Sequence, residues 1–276
     1  MIKRILVPTD GSEAAMIGVT YAVALGKTCD ASLLGLHVVD VKLLEGPFLR
    51  DISASLGTAP YINYQGNIAA LLEERGAAAL RAFQKECEAA GVPAETAQVT
   101  GIIARAIVEK GDLADLIVMG RGGEHNEWLE GLVGSTTEAV VRRAHQPVLV
   151  TGTATPGRGR LVVAYDGTRH ARTALKTAAT LSVEWSMALH LLVVGDSKMN
   201  AIMEEALGYL DAHKTQRECI RREGDPGETI VAYAAECNAD LLVMGAFGHS
   251  KVRELVVGST TTYAINRAPC PVLLAR

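Results

Sequence analysis

Two stretches of the chain carry residue types and spacing suited to holding an anion. Gly245-Ala246-Phe247-Gly248 is followed, nine residues later, by Gly258-Ser259-Thr260-Thr261 at the start of a helical pattern; Gly120-Arg121-Gly122-Gly123 precedes Gly134-Ser135-Thr136 in the same manner. Glycines let backbone approach a phosphate closely, and the N–H groups of a helix N-terminus point at it. The hydroxyls of Ser259, Thr260 and Thr261, like those of Ser135 and Thr136, offer further bonds to phosphate oxygens or to bound Mg²⁺. One Ser or Thr beside a helix start is also an ordinary N-cap; the signal is the strand, glycine loop and Gly-Ser-Thr taken together. Ten residues separate Gly123 from Gly134, so the first loop must bulge or use its glycines differently.

Asp10-Gly11 and Asp166-Gly167 each close an apolar run, Arg4-Ile5-Leu6-Val7-Pro8-Thr9 and Arg160-Leu161-Val162-Val163-Ala164-Tyr165. Asp-Gly after a strand is common turn chemistry, and its recurrence within one chain also suits a shared role at a ligand. Other candidates fail on spacing. Gly26-Lys27-Thr28 resembles the tail of a P-loop, but Tyr21 stands where the earlier glycine belongs; position 125 is His125, not the third glycine of a dinucleotide fingerprint. No Gly-x-Ser-x-Gly nucleophile motif or His-Glu-x-x-His zinc motif occurs, so no catalytic residue and no metal ligand is assigned. Five scattered cysteines without a Cys-x-x-Cys pair read as buried free thiols.

The elements that must position these residues come twice. Asp115-Leu116-Ile117-Val118-Met119-Gly120 returns as Asp240-Leu241-Leu242-Val243-Met244-Gly245, and Gly134-Ser135-Thr136-Thr137 as Gly258-Ser259-Thr260-Thr261. Asp10 and Asp166 lie 156 residues apart but Gly120 and Gly245 only 125, so the first half carries about 31 additional residues, placed within 41–72. Gly46-Pro47, Gly57, Pro60 and Gly66 give that segment the composition of an excursion or lid. Domains are expected at 1–152 and 160–276, with 153–159 as linker.

Short β-branched runs alternate with helical patterns in each half. Strands are expected at Ile5–Pro8, Leu33–Val39, Glu95–Thr100, Leu116–Met119 and Val148–Val150, then at Leu161–Tyr165, Leu189–Val194, Arg217–Arg222, Leu241–Met244 and Val272–Leu274. Five strands alternating with four helices make a doubly wound α/β domain with a parallel sheet, which binds ligands at the carboxyl ends of its strands. Half of the residues, 49%, are apolar, which excludes a disordered chain; a net charge of −4 supplies no basic field for nucleic acid. No signal segment or membrane-spanning run is evident, and a cytoplasmic location is expected.

With these motifs the chain resembles the universal stress protein family over nearly its whole length, twice. Each half has strand-Asp-Gly, Met-Gly before a glycine loop, Gly-Ser-Thr on a helix, and a closing strand such as Pro271-Val272-Leu273-Leu274. The resemblance implies two tandem five-stranded domains, Rossmann-like and of the adenine nucleotide alpha hydrolase-like kind, paired through their last strands as an intramolecular pseudo-dimer. It also implies ATP, with or without Mg²⁺, bound by a stress or regulatory protein, with a slow Mg²⁺-dependent hydrolase or an adaptor with vestigial pockets as alternatives. Adenine would lie near Val38 or Val193, the nucleoside near Pro8-Thr9-Asp10 or Asp166. The ribose would meet Met119-Gly120 or Met244-Gly245, and the phosphates Gly123, Gly134, Ser135 and Thr136 or Gly248, Gly258, Ser259, Thr260 and Thr261. A homodimer is compatible with this reading, and no protein partner is assigned.

Overall fold

The computed structural model describes residues 2–45, 61–122, 133–152, 157, 159–196, 199–213, 215–246 and 258–276. Strands β1 (Arg4–Pro8), β2 (Ser32–Asp40), β3 (Ala94–Gly101), β4 (Leu116–Gly120) and β5 (Val148–Thr151) form the first half. The second contributes β6 (Arg160–Ala164), β7 (Ala188–Val194), β8 (Arg217–Arg222), β9 (Leu241–Gly245) and β10 (Val272–Ala275). All ten lie where expected; Tyr165 falls just past β6 and not within it.

The strands make one sheet in the order β3-β2-β1-β4-β5-β10-β9-β6-β7-β8. Each half is parallel, in the doubly wound order, and the halves meet at one antiparallel junction. There Val150 faces Val272, Leu149 faces Leu273 and Val148 faces Leu274. The expected pairing of the two last strands is therefore observed. Central strands are apolar on both faces because helices cover both sides. The edge strands β3 and β8 are rich in polar residues and nowhere fully buried, as edges open to water require.

The described helices are α1 (Glu13–Cys29), α2 (Val41–Glu45), α3 (Tyr61–Ala90), α4 (Ile103–Gly111) and α5 (Ser135–Arg143), then α6 (Arg169–Glu184), α7 (Asn200–Leu210), α8 (Pro226–Glu236) and α9 (Ser259–Arg267). Val19 and Ala22 of α1, Phe83 of α3, Ala174 and Ala178 of α6 and Leu210 of α7 pack with Ile5, Val7, Leu161 and Val163 on one face of the sheet. Ile107 of α4, Val140 of α5, Ile230 of α8 and Ile265 of α9 pack with Leu6, Ile117, Val162 and Leu242 on the other. Each layer runs unbroken through both halves.

The ends of the 41–72 segment are helical where turns were expected. Val41–Glu45 is α2, and residues 61–72 open the 30-residue α3, so Gly66 sits inside a helix. A periodic apolar stripe overrode the isolated glycine, which costs a helix only about 1 kcal/mol. Gly46, Pro47, Gly57 and Pro60 lie outside the described residues.

Candidate functional site

In each half the strand order reverses between the first and fourth strands, β1 and β4 or β6 and β9. The crevice at that reversal is where doubly wound sheets present their ligand-binding ends. After β1, Asp10 accepts the Ser12 N–H at 3.0 Å and Gly11 takes φ +80°; after β6, Asp166 accepts the Thr168 N–H at 3.0 Å and Gly167 takes φ +75°. A left-handed turn of this kind favours glycine. Ser12 and Thr168 then cap α1 and α6 by accepting the N–H groups of Ala15 and Ala171, at 3.3 and 3.2 Å. The Asp-Gly pairs thus do turn chemistry, and they also leave a carboxylate at each crevice. Pro8 is the buried last residue of β1.

The glycines that end β4 and β9 allow close packing. A Cβ on Gly120 would collide with the Ala14 backbone in the first turn of α1. One on Gly245 would lie 2.9 Å from backbone and side-chain atoms of His170 in α6. Without side chains there, a helix start lies directly over each strand end. Met119 and Met244, the preceding residues, are buried in the layer on the α5 and α9 side.

Gly134 and Gly258 are the N-cap residues of α5 and α9, both in extended backbone, and neither helix has a side-chain cap. Ser135 and Ser259 are accordingly the first helical residues, exposed at the surface, with Thr136 and Thr260 next to them. The first N–H groups of these helices keep their polarity directed outward, an arrangement that favours an anion. Thr261 departs from expectation: it is buried, and its hydroxyl lies 3.4 Å from both the Gly245 and Ala246 carbonyls. Thr137 does the same at the Gly120 carbonyl, at 3.0 Å. These threonines hold the helix start against the strand end. Thr9 is likewise turned inward, accepting the Gly11 N–H at 3.2 Å. Gly123, Gly248, His125 and His249 lie outside the described residues.

Register corrects one assignment. Leu6 faces Leu34 and Pro8 faces Leu36 in the first half; Val162 faces His190 and Ala164 faces Leu192 in the second. Val38 is therefore matched by Val194, and Val193 by His37. Val193 is fully buried in the layer against α6 and α7, whereas Val38 and the half-buried Val194 belong to the opposite layer. Strand side chains alternate, so a shift of one residue changes the face. The 156-residue offset between Asp10 and Asp166, added to 38, points to Val194 from sequence alone.

The crevices differ in polarity beside the aspartates. In the first half, His37 Nδ1 lies 2.9 Å from the Thr9 carbonyl. In the second, the buried Tyr165 donates its hydroxyl to Glu205 at 2.9 Å, and Arg172 holds the same carboxylate through Nε at 2.6 Å and Nη2 at 3.1 Å. Burial pushes the Tyr165 phenol up to about 12, while the Arg172 and Tyr165 hydrogen bonds hold Glu205 below the usual carboxylate range. Tyr165 is thereby a packing residue tying β6 to α7.

The universal stress protein family model matches residues 1–152 and 196–276. Universal stress protein Slr1230 of Synechocystis sp. is 29% identical over 290 residues, covering all of both chains. Universal stress protein MJ0531 of Methanocaldococcus jannaschii is 37% identical over 153 residues, 54% of this chain and 82% of its own. Among solved structures, a universal stress protein from Archaeoglobus fulgidus has the same fold, with a TM-score of 0.79 at 24% identity over 99% of this chain and 98% of that one. The segment between the two matched regions holds β6, α6 and all of β7, built like β1, α1 and β2. The repeated strand ends, the uncapped helix starts and these matches together establish that the chain belongs to the universal stress protein family.

Proposed function

We propose that the chain is a nucleotide-dependent stress or regulatory factor of the cytoplasm, with two domains at 1–152 and 160–276 that each take an adenine nucleotide at the crevice between their first and fourth strands. Family membership supports the stress role. One observation carries the nucleotide reading: each half sets an uncapped, glycine-led helix start, Gly134-Ser135-Thr136 or Gly258-Ser259-Thr260, beside a glycine strand end and an Asp-Gly turn. Helix N–H groups suit phosphate oxygens. Val38 and Val194 are the apolar positions suited to adenine, Asp10 and Asp166 the acceptors near the sugar, with Mg²⁺ as a companion of the phosphates. ATP is the assigned ligand, bound without efficient turnover.

Mass analysis of ligand released from natively purified protein tests this. Recovery of ATP supports the reading, and ADP or AMP with steady phosphate release would favour a slow hydrolase. Absence of any nucleotide, together with no heat of ATP binding by calorimetry, would overturn it in favour of an adaptor with vestigial crevices.

A further inference from the structure

The amide of the glycine that opens each helix start is not in the same state in the two halves. In the first half, the Gly134 N–H donates to the Arg121 carbonyl at 2.9 Å. The Val133 N–H donates to Asn266 Oδ1 at 2.6 Å. Asn266 belongs to the other half: it lies in the last turn of α9, whose first residue is Ser259. Its Nδ2 donates to the Thr262 carbonyl at 2.8 Å, so a backbone acceptor and a backbone donor together fix which way the side-chain amide points. Arg121 adds a second link. Its backbone borders the first crevice, while its guanidinium reaches the Asn266 and Ala268 carbonyls at 3.2 and 2.9 Å.

The second half returns only the guanidinium link, which Arg276 makes to the Arg142 and Ala144 carbonyls at the matching end of α5. The position matching Arg121 is Ala246, which has no side chain to span the junction. Among the described residues, the Gly258 N–H makes no bond to the Ala246 carbonyl. The position matching Asn266 is Arg142, and a guanidinium has no acceptor for an amide N–H.

We propose that Asn266 is a positioning residue for the first-half phosphate site, supplied by the second half, and that α9 thereby couples the two nucleotide sites. The inference rests on the nucleotide reading above. A phosphate at Ser259 acts on the N-terminus of the same nine-residue helix whose last turn holds the Val133 amide. Any shift of that helix alters where the first loop hands the chain into α5. Linkage makes the effect reciprocal: whatever the second ligand does to the first site's affinity, the first does equally to the second.

The test uses the full chain with Mg²⁺-ATP as probe and two substitutions. Asn266→Leu keeps the bulk and removes the acceptor; Asn266→Asp keeps an acceptor oxygen. Without ligand, amide hydrogen exchange at Val133 is expected to speed up about tenfold in Asn266→Leu and to stay near the unmodified rate in Asn266→Asp. With the second site disabled by Gly258→Val, ATP affinity at the first site is expected to fall about three- to tenfold in Asn266→Leu, while Asn266→Asp is read by Val133 exchange alone because its added charge itself repels phosphate. With both sites intact, the dependence of one site's affinity on occupancy of the other is expected to vanish in Asn266→Leu. A lowered melting temperature with unchanged Val133 exchange and unchanged first-site affinity would overturn the proposal and leave Asn266 a structural contact. Loss of ATP binding in the unmodified chain would instead remove the nucleotide reading, and this inference with it.

Discussion

Arg121 and Arg276 occupy unmatched positions in the two halves yet close matched helix ends. Arg121 follows β4 and donates to the Asn266 and Ala268 carbonyls at the end of α9; Arg276 follows β10 and donates to the Arg142 and Ala144 carbonyls at the end of α5. Each guanidinium crosses the antiparallel junction, and each meets the negative end of a helix. Burial lowers the Arg121 pKa from its ordinary range, and its charge is met by carbonyl dipoles at the helix end.

Arg121→Ala is expected to destabilise the chain by about 1–3 kcal/mol, because two part-buried carbonyls lose charge-assisted donors. Arg121→Lys should recover little, since one ammonium does not reproduce a planar fork across two acceptors. Urea unfolding followed by circular dichroism reads both. A loss for Arg121→Ala within error of zero would show that water replaces the guanidinium freely.

The glycines at the strand ends should rank by what a methyl group would meet. Gly120→Ala is expected to cost about 1–3 kcal/mol, because the obstruction is the Ala14 backbone and the α1 start must move. Gly245→Ala should cost less, since its nearest obstruction, the His170 backbone and Cβ, stands at 2.9 Å, farther off than the Ala14 carbonyl oxygen at Gly120. Gly208, within α7 with open space around it, gives the opposite sign: Gly208→Ala should stabilise by about 0.5–1 kcal/mol. Thermal unfolding of the three variants checks the order.

His190 carries a pH signature. It is buried beside Tyr233, with its Nδ1 2.7 Å from the phenol oxygen, near Glu218 and Arg160, and Arg222 lies over the Tyr233 ring. Burial lowers its pKa, so the folded chain binds its proton less readily than the unfolded one. The contribution to stability is full above the unfolded value of about 6.5 and is lost as pH falls from there through the lower folded value. His190→Leu, the residue that Leu34 supplies in the first half, should flatten stability between pH 8 and pH 5. An unchanged slope would assign that dependence to other groups.

Nucleotide affinity should favour the second site. From Gly245 to Gly258 the charged residues are Lys251, Arg253 and Glu254; from Gly120 to Gly134 they are Arg121, Glu124, Glu127 and Glu130. The first loop is the more acidic, and two of its amides are already bonded. Exposed charges count for a few tenths to about 1 kcal/mol each, a severalfold difference that salt weakens. ATP titration should show the larger loss in Gly258→Val, and Mg²⁺ should narrow the gap by shielding the first-loop acids. A larger loss in Gly134→Val with and without Mg²⁺ would refute the ranking.

The strand positions and the repeat were legible because β-branched runs and the two Asp-Gly closures are local signals. The antiparallel junction was legible through the family resemblance. The misplacement of Val193 for Val194 arose from matching residue types where register decides the face. Gly66 misled because composition was weighed above the period of the surrounding helix. Thr261 looked like a phosphate ligand because a hydroxyl's type does not reveal its rotamer. Asn266 had no signal at all: its partner Val133 lies 133 positions away, and a single side-chain acceptor on a backbone amide leaves no pattern in composition or spacing.

The junction of β5 with β10 places two copies of one ancestral pattern in a single polypeptide. Two separate subunits meeting about a twofold axis must present the same surface to each other, so any change appears on both sides. Covalent linkage lifts that constraint. The protein can alter one flank alone, as Ala246 opposite Arg121 and Arg142 opposite Asn266 already record. Tethering also raises the effective concentration of each half for its own partner to about the millimolar range, so exchange with related chains is suppressed by mass action. A symmetric assembly that would otherwise hold two copies of one site becomes a heterodimer of fixed composition, free to give its two crevices different tasks.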